Sequence, residues 1–307
     1  MSALATKVCG IELKNPIIAA AGTFAYGVEF KEQLDLNALG GFVVKGLSRE
    51  PIEGNPAPRV VETASGMMNS IGLQNIGVQA FARDKLPALA KLNTAVIANI
   101  FGYRTEDYVE VVRVLNDYAG LAAYELNVSC PNTKHGGIFF SNDPVLLAEV
   151  VSAVKAIARR PVIVKLSPNV SAIEPVAIAA EQAGADALSL VNTFVALAID
   201  PKTRTTRIGA GFGGLSGPAI KPIALRMVYQ AAKAVKIPVI GLGGIATGTD
   251  AAEFLIAGAQ AVQVGTASFW EPRAALNVAK ELEQFLRREK IGSVRELVGT
   301  VKFPGAQ

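Results

Sequence analysis

Eight short β-rich runs recur along the chain, most of them separated by a helical pattern. They are PIIAA (16–20), GFVVK (41–45), AVIANI (95–100), YELNV (124–128), VIVKL (162–166), ALSLV (187–191), VIGL (239–242) and AVQV (261–264). Near-continuous apolar runs of this length suit strands buried on both faces, as in a parallel sheet. The intervening helices carry their own punctuation. Asp143 is placed to cap SNDPVLLAEVVSAVKAIARR, with Pro144 at the first helical position and Pro161 beyond the end. Ser171 and Glu174 suggest a capping box for the next helix, which Gly184 closes. Thr249 is the expected cap of DAAEFLIAG, Gly258 its stop, and AALNVAKELEQFLRREK the last helix. Eight strand–helix units predict an α/β fold, a (β/α)8 barrel rather than an open sheet.

Length fits that reading, since 307 residues can form one barrel domain. The spacing departs from regularity twice. About 50 residues separate the second and third runs, including GNPAPRVVETASGMMNSIGLQN, and TFVALAIDPKTRTTRIGAGFGGLSG follows the sixth. A single domain over 1–307 is expected, with insertions at about 46–94 and 193–217, the first a hairpin or lid. Both leave from the C-terminal face, where barrel active sites are built, and loops this long are usually functional.

The strand ends are polar: Lys45, Asn99, Asn127, Lys165 and Asn192-Thr193, together with Ala21-Gly22-Thr23, Gly243-Gly244 and Gly265-Thr266. Buried amides and ammoniums are costly without partners, and a polar, planar ligand at the barrel mouth would supply them. Gly243-Gly244 and Gly265-Thr266 can expose backbone N–H groups beside a helix N-terminus, an anion site common at this place in barrels; the alternative is that they serve tight turns. Gly209, Gly211 and Gly214 match G-x-G-x-x-G but open no helix. Gly241, Gly243 and Ala246 match a looser form, without an acidic residue about twenty positions on to hold a ribose. A Rossmann-bound nicotinamide cofactor is therefore not expected on this chain. Lys45 and Lys165 are candidates for a Schiff-base lysine, for a fixed charge beside a ring that becomes anionic on reduction, or for snorkelling to solvent.

ELNVSCPNTKHGG, Glu125 to Gly137, holds Cys130, one of two cysteines, and His135, the sole histidine. Pro131-Asn132 and Gly136-Gly137 place Cys130 in turn chemistry over the mouth. A thiolate there can accept a proton from a carbon acid without a metal, and a lone histidine offers no metal site. Cys9 reads as a structural cysteine, and His135 as equally a surface residue. Two cysteines exclude a disulfide framework and cannot ligate an iron–sulfur cluster alone. The net charge of +4 is scattered, with no basic stripe for nucleic acid. No apolar run approaches the about 18 residues of a membrane span, and MSALATKVCGIELKNP lacks a signal-peptide core, so a cytoplasmic location is expected.

With these residues assembled, the chain resembles the FMN-containing catalytic subunit of the class I dihydroorotate dehydrogenases over essentially its whole length. ELNVSCPN, NSIGLQN and IPVIGLGGI…VQVGTA carry the resemblance. It implies oxidation of (S)-dihydroorotate to orotate in pyrimidine (UMP) biosynthesis. Cys130 would remove the C5 proton while the C6 hydride passes to FMN. Lys45, Asn69, Ser70, Ile71, Gly72, Leu73, Asn127, Asn192 and Thr193 match orotate-binding positions. Lys45, Gly46, Asn99, Asn127, Lys165, Val191, Gly217, Gly243, Gly244, Gly265 and Thr266 match FMN contacts, with Lys165 on the N1–C2 oxygen side of the ring. Position 21 often carries Ser; Ala21 offers only its backbone. SCPNTKHGG and GLQN resemble the NAD-linked B type, which implies a partner subunit bearing FAD and [2Fe–2S] and a heterotetramer of two catalytic and two electron-transfer subunits. The alternatives are an A-type homodimer reducing fumarate, an FMN barrel acting on a related dihydropyrimidine, a Schiff-base lyase using Lys165 or Lys45, and a non-catalytic phosphate-binding barrel.

Overall fold

In the computed structural model, which describes residues 2–128, 140–141 and 143–305, all eight runs are strands. A hairpin of β1 (Thr6–Val8) and β2 (Ile11–Leu13) leads into β3 (Ile17–Ala19) and β4 (Gly41–Val43). A second hairpin, β5 (Val60–Thr63) and β6 (Gly66–Asn69), and the short helices α1 (Val78–Asp84) and α2 (Leu86–Leu89) precede β7 (Ala95–Ile100). Then come α3 (Thr105–Asn116), β8 (Ala123–Asn127), α4 (Pro144–Lys155), β9 (Val162–Lys165), α5 (Glu174–Gln182) and β10 (Ala187–Leu190). Beyond β10 lie β11 (Phe194–Leu197), β12 (Ile199–Asp200), β13 (Thr205–Thr206) and β14 (Phe212–Ser216). The chain continues through α6 (Lys221–Ala234), β15 (Val239–Leu242), α7 (Gly248–Ile256), β16 (Ala261–Val264) and α8 (Ala274–Arg288).

Strands β3, β4, β7, β8, β9, β10, β15 and β16 close into a parallel barrel, β16 pairing back with β3. This is the expected (β/α)8 fold. Strand side chains alternate faces, so inward residues fall two apart and stack in layers. The lower layer is apolar: Ile18, Val43, Ile97, Ala123, Ile163, Ala187, Ile240 and Ala261 pack together, and Val8 and Leu13 of the first hairpin plug them from below. Two residues further along, six of the eight strands turn polar, with Lys45, Asn99, Glu125, Lys165, Ser189 and Gln263, while Ala20 and Leu242 occupy the other two positions. Outward strand residues, Phe42 and Tyr124 among the largest, pack under the helices in the main core, to which the helices contribute Tyr108 and Phe254.

Asp143 caps α4 as expected, accepting from the N–H groups of Val145 and Leu146, with Pro144 in the first turn. Two other caps differ. Helix α5 starts at Glu174 from Ile173, with no side-chain cap, so Ser171 and Glu174 form no capping box. Burial of Ile173 and Val176 against the barrel sets that end. Helix α7 is capped by Thr247, not Thr249: Thr247 accepts from the Asp250 N–H, and Asp250 reaches back to the N–H of Thr247. Gly184 and Gly258 do end their helices, at φ of 96° and 119°.

The two excursions meet. β6 pairs with β14 and β14 with β11, so one four-stranded antiparallel sheet, β11–β14–β6–β5, stands over the C-terminal ends of the barrel strands.

Candidate active site

A cavity of about 300 Å³ opens above the polar layer and below this sheet, within the size range of small-ligand sites. Its lining gathers Ala21, Lys45, Gly46, Asn99, Asn127, Lys165, Val191, Asn192 and Thr193 from the strand ends. It also includes Asn69, Ile71, Gly72 and Leu73 from the first excursion, and Gly217, Gly243, Gly244, Gly265 and Thr266. Ser70 alone among the described candidates lies off the lining: it is buried, with its hydroxyl held by Asn55 at 2.8 Å. Cys130 and His135, with Pro131, Asn132, Gly136 and Gly137, lie outside the described residues.

The floor is built around a residue that sequence reasoning missed. Glu125 is fully buried, and its carboxylate accepts from Asn99 Nδ2 at 2.8 Å, Ser189 Oγ at 3.0 Å and Gln263 Nε2 at 2.6 Å. Strands β8 and β16 stand on opposite sides of the ring, so the Glu125–Gln263 bond crosses the barrel interior. Lys165, 6% exposed, brings its ammonium to 4.0 Å from Glu125 Oε1. A buried cation thus has a buried counter-charge, and the lysine does not snorkel. Ser189 and Gln263 were visible as lone polar residues inside ALSLV and AVQV, and Glu125 as the one acid inside YELNV; counting by twos from Ala123, Ile163, Ala187 and Ala261 puts Glu125, Lys165, Ser189 and Gln263 on the inward face.

The rim is fixed by backbone geometry. Asn192 donates to Asn127 Oδ1 at 3.3 Å and accepts from the Thr193 N–H at 2.9 Å. Leu73 holds φ at 63° next to Gly72 at 73°, a left-handed pair that non-glycine residues seldom join. Arg59 braces this lip, donating to the Asn55 carbonyl and to Gln74 Oε1.

On the opposite side, Gly243 and Gly244 adopt φ of 134° and 77°, with a Cβ on Gly244 only 2.7 Å from the Gly217 carbonyl oxygen. Gly265 differs: a Cβ there would meet nothing nearer than Ala20 at 3.6 Å and Thr23 at 3.9 Å, and all three residues line the cavity. Thr266 Oγ1 donates to Ser216 Oγ at 2.8 Å. Lys221 at the start of α6 ties this corner to α7, reaching Asp250 at 2.6 Å and Glu253 at 2.8 Å. Burial opposes the charged form of Asp250, but hydrogen bonds from Lys221, Ala246 and Thr247 outweigh it and hold its carboxyl below the usual range. Cys9, in the turn of the first hairpin, is no nucleophile: burial, then the Asp186 carboxylate, push its thiol up to about 12.

These residues fit a phosphorylated flavin. The glycine corner leaves room for a phosphate, with open space beside Gly265 on the lining. Gln263 Oε1 is buried on the lining and accepts no hydrogen bond among the described residues, so it suits a ligand donor. Among the described residues no group of His, Cys, Asp and Glu could hold a metal, and no helix is long and apolar enough to cross a membrane.

The barrel, its buried lysine and its glycine corner define a class: (β/α)8 proteins with a polar ligand cavity at the C-terminal mouth. The family model for dihydroorotate dehydrogenase matches residues 3–286, and the chain belongs to that family. A Solibacter usitatus protein, provisionally named dihydroorotate dehydrogenase A (fumarate), is 77% identical over 98% of this chain and 99% of its own length. Proteins of Citrifermentans bemidjiense and Geobacter sulfurreducens, named catalytic subunits of dihydroorotate dehydrogenase B (NAD(+)), are 53% and 52% identical over 98% and 97% of this chain and 98% of their own lengths.

Proposed function

We propose that the chain is a cytoplasmic single-domain FMN enzyme that oxidises (S)-dihydroorotate to orotate in pyrimidine biosynthesis. The observation that carries this reading is the convergence of Lys45, Lys165, Asn69, Asn99, Asn127 and Asn192 with the glycine corner on one cavity. Bound FMN supplies the hydride acceptor for C6 of the substrate. Gly243, Gly244, Gly265 and Thr266 hold its phosphate through backbone N–H groups, and Lys165 holds a positive charge beside the ring. Asn69, Asn127, Asn192 and Thr193 fix the substrate's carboxylate and ring amides, with the Ile71–Leu73 lip covering it. Cys130 takes the C5 proton as thiolate, so the proton and hydride leave adjacent carbons toward separate acceptors.

The proposed acceptor is NAD, reached through a partner subunit carrying FAD and [2Fe–2S] in a heterotetramer of two subunits of each kind. The sequence motifs SCPNTKHGG and GLQN support this B-type assignment, as do the names of relatives near 50% identity. Exposed Val195, Leu197, Ile199 and Phe212 on the second excursion offer an apolar face to a partner. A second reading, an A-type homodimer reducing fumarate, is favoured by the name of the relative at 77% identity.

The visible spectrum of the purified chain, before and after anaerobic dihydroorotate, tests the core of the proposal. A flavin spectrum that bleaches supports it; a flavin that stays oxidised, or none after reconstitution with FMN, overturns it. Turnover with fumarate by the isolated chain would decide for the A type, and turnover with NAD only alongside a partner for the B type.

A further inference from the structure

The fully buried carboxylate under the cavity has no place in the chemistry above. Its surroundings say what form it takes. Asn99 and Gln263 both present amide donors, at 2.8 and 2.6 Å, and Ser189 adds a hydroxyl donor at 3.0 Å. A carboxylate is an acceptor only, which this set of donors matches; a protonated carboxyl would need an acceptor for its own proton. Among the described residues, Lys165 pairs with it, its ammonium at 4.0 Å. The hydrogen bonds and the ion pair of this carboxylate involve no other titratable group among the described residues.

Three consequences follow for the floor. The carboxylate anchors Asn99 and Gln263 through their nitrogens, so the oxygen of Gln263 is left as a buried acceptor on the lining. It fixes the direction of the Lys165 side chain, which is buried with it. And it places a negative charge close behind a positive one, so a ring above meets a partly compensated cation rather than a full one.

We propose that Glu125 is a positioning residue that aims Lys165 and offsets its charge, setting how readily the bound flavin is reduced. The proposal rests on the FMN reading above. A negative charge near the ring disfavours the anionic reduced form, and its removal favours it. Loosened packing that weakened the oxidised and reduced forms alike would leave the reduction potential where it was.

The experiment measures the two-electron potential of the holoprotein by equilibration with reference dyes, in wild type, Glu125→Gln, Lys165→Met and the double variant. Glu125→Gln is expected to raise the reduced-to-oxidised ratio at fixed solution potential about tenfold, an upward shift of about 30 mV for two electrons. Lys165→Met is expected to lower it by at least as much. The double variant, which removes both charges and strands neither, is expected to fall between the two, well above Lys165→Met alone. Glu125→Asp, which keeps the charge, is expected to stay near wild type. An unchanged or lowered potential in Glu125→Gln overturns the proposal, as does a double variant no higher than Lys165→Met. The double variant keeps the test open should Glu125→Gln fail to fold. Failure of wild type to bind FMN would instead sink the flavin reading, a result separate from either outcome here.

Discussion

Three glycines that look alike in sequence should respond differently to a single methyl group. Gly244 has φ of 77°, and an added Cβ would lie 2.7 Å from the Gly217 carbonyl oxygen and 2.9 Å from Lys221 Cβ. Placing Ala in the left-handed region costs roughly 1–2 kcal/mol. The backbone contact adds an overpacking cost of about 1–3 kcal/mol, since the opposing oxygen cannot swing aside as a flexible side-chain end would. Gly244→Ala is therefore expected to destabilise by about 2–5 kcal/mol and to weaken FMN binding at least tenfold. Gly211 shares the conformation, at φ of 86°, but a Cβ there meets nothing within 4 Å, and it lies off the cavity. Gly211→Ala should cost about 1 kcal/mol, eased by lost freedom in the unfolded chain, and leave flavin binding intact. Gly265, where the nearest atom to a Cβ is at 3.6 Å, reverses the pattern. Gly265→Ala should change stability by less than about 1 kcal/mol yet reduce flavin affinity about tenfold, because its methyl is added among residues that line the cavity. The assays are urea midpoints by circular dichroism on the flavin-free chain and titration by flavin fluorescence. Equal midpoints for Gly244→Ala and Gly211→Ala would refute the steric reasoning, and wild-type affinity in Gly265→Ala would refute the phosphate corner.

Glu125→Leu strands three donors and a buried lysine, so the flavin-free chain should lose about 3–5 kcal/mol, far above a surface substitution; a loss under about 1 kcal/mol would mean the knot contributes nothing. Cys130→Ser should slow flavin reduction by dihydroorotate more than about a hundredfold at neutral pH and recover partly at high pH, because a hydroxyl is the weaker base; stopped-flow rates equal to wild type at neutral pH would remove Cys130 from that role. Lys165→Ala should lose flavin or slow its reduction at least tenfold, read by flavin content and the same stopped-flow assay. In acid, Asp250 works in one direction: its folded value is depressed, so its contribution is present above the unfolded value of about 3.9 and is lost as pH falls through the folded value. Thermal melts from pH 6 down to pH 2 should show wild type losing more stability below about pH 4 than Asp250→Asn, and parallel curves would contradict the assignment.

Short apolar runs had only one economical arrangement, so the eight strands, the closed barrel and the polar strand ends were legible in the sequence alone. Lys45, Asn99, Asn127, Lys165 and Asn192 could be picked out because a polar residue ending a buried strand demands a partner wherever the strand goes. Gly243, Gly244 and Gly265 were legible as a corner, but nothing local distinguished the two held by positive φ from the one with open space beside it. Helix α7 shows the limit of local rules: Thr247 and Thr249 are both acceptable caps, and the reciprocal bonds of Asp250, itself held by Lys221 from α6, decide between them. Glu125 is the clearest case. In YELNV it is one acid in a strand, with nothing nearby in sequence to pair it. Its donors come from residues 26, 64 and 138 positions away and converge because closing the barrel sets β7, β10 and β16 around one interior. The joining of the two excursions into one sheet is of the same kind, fixed by the pairing of Asn69 with Gly214 across the mouth. Strand and helix patterns are written in neighbouring residues, where steric and hydrophobic periodicity act. A buried charge and its partners are chosen by chain closure, which brings distant residues within reach.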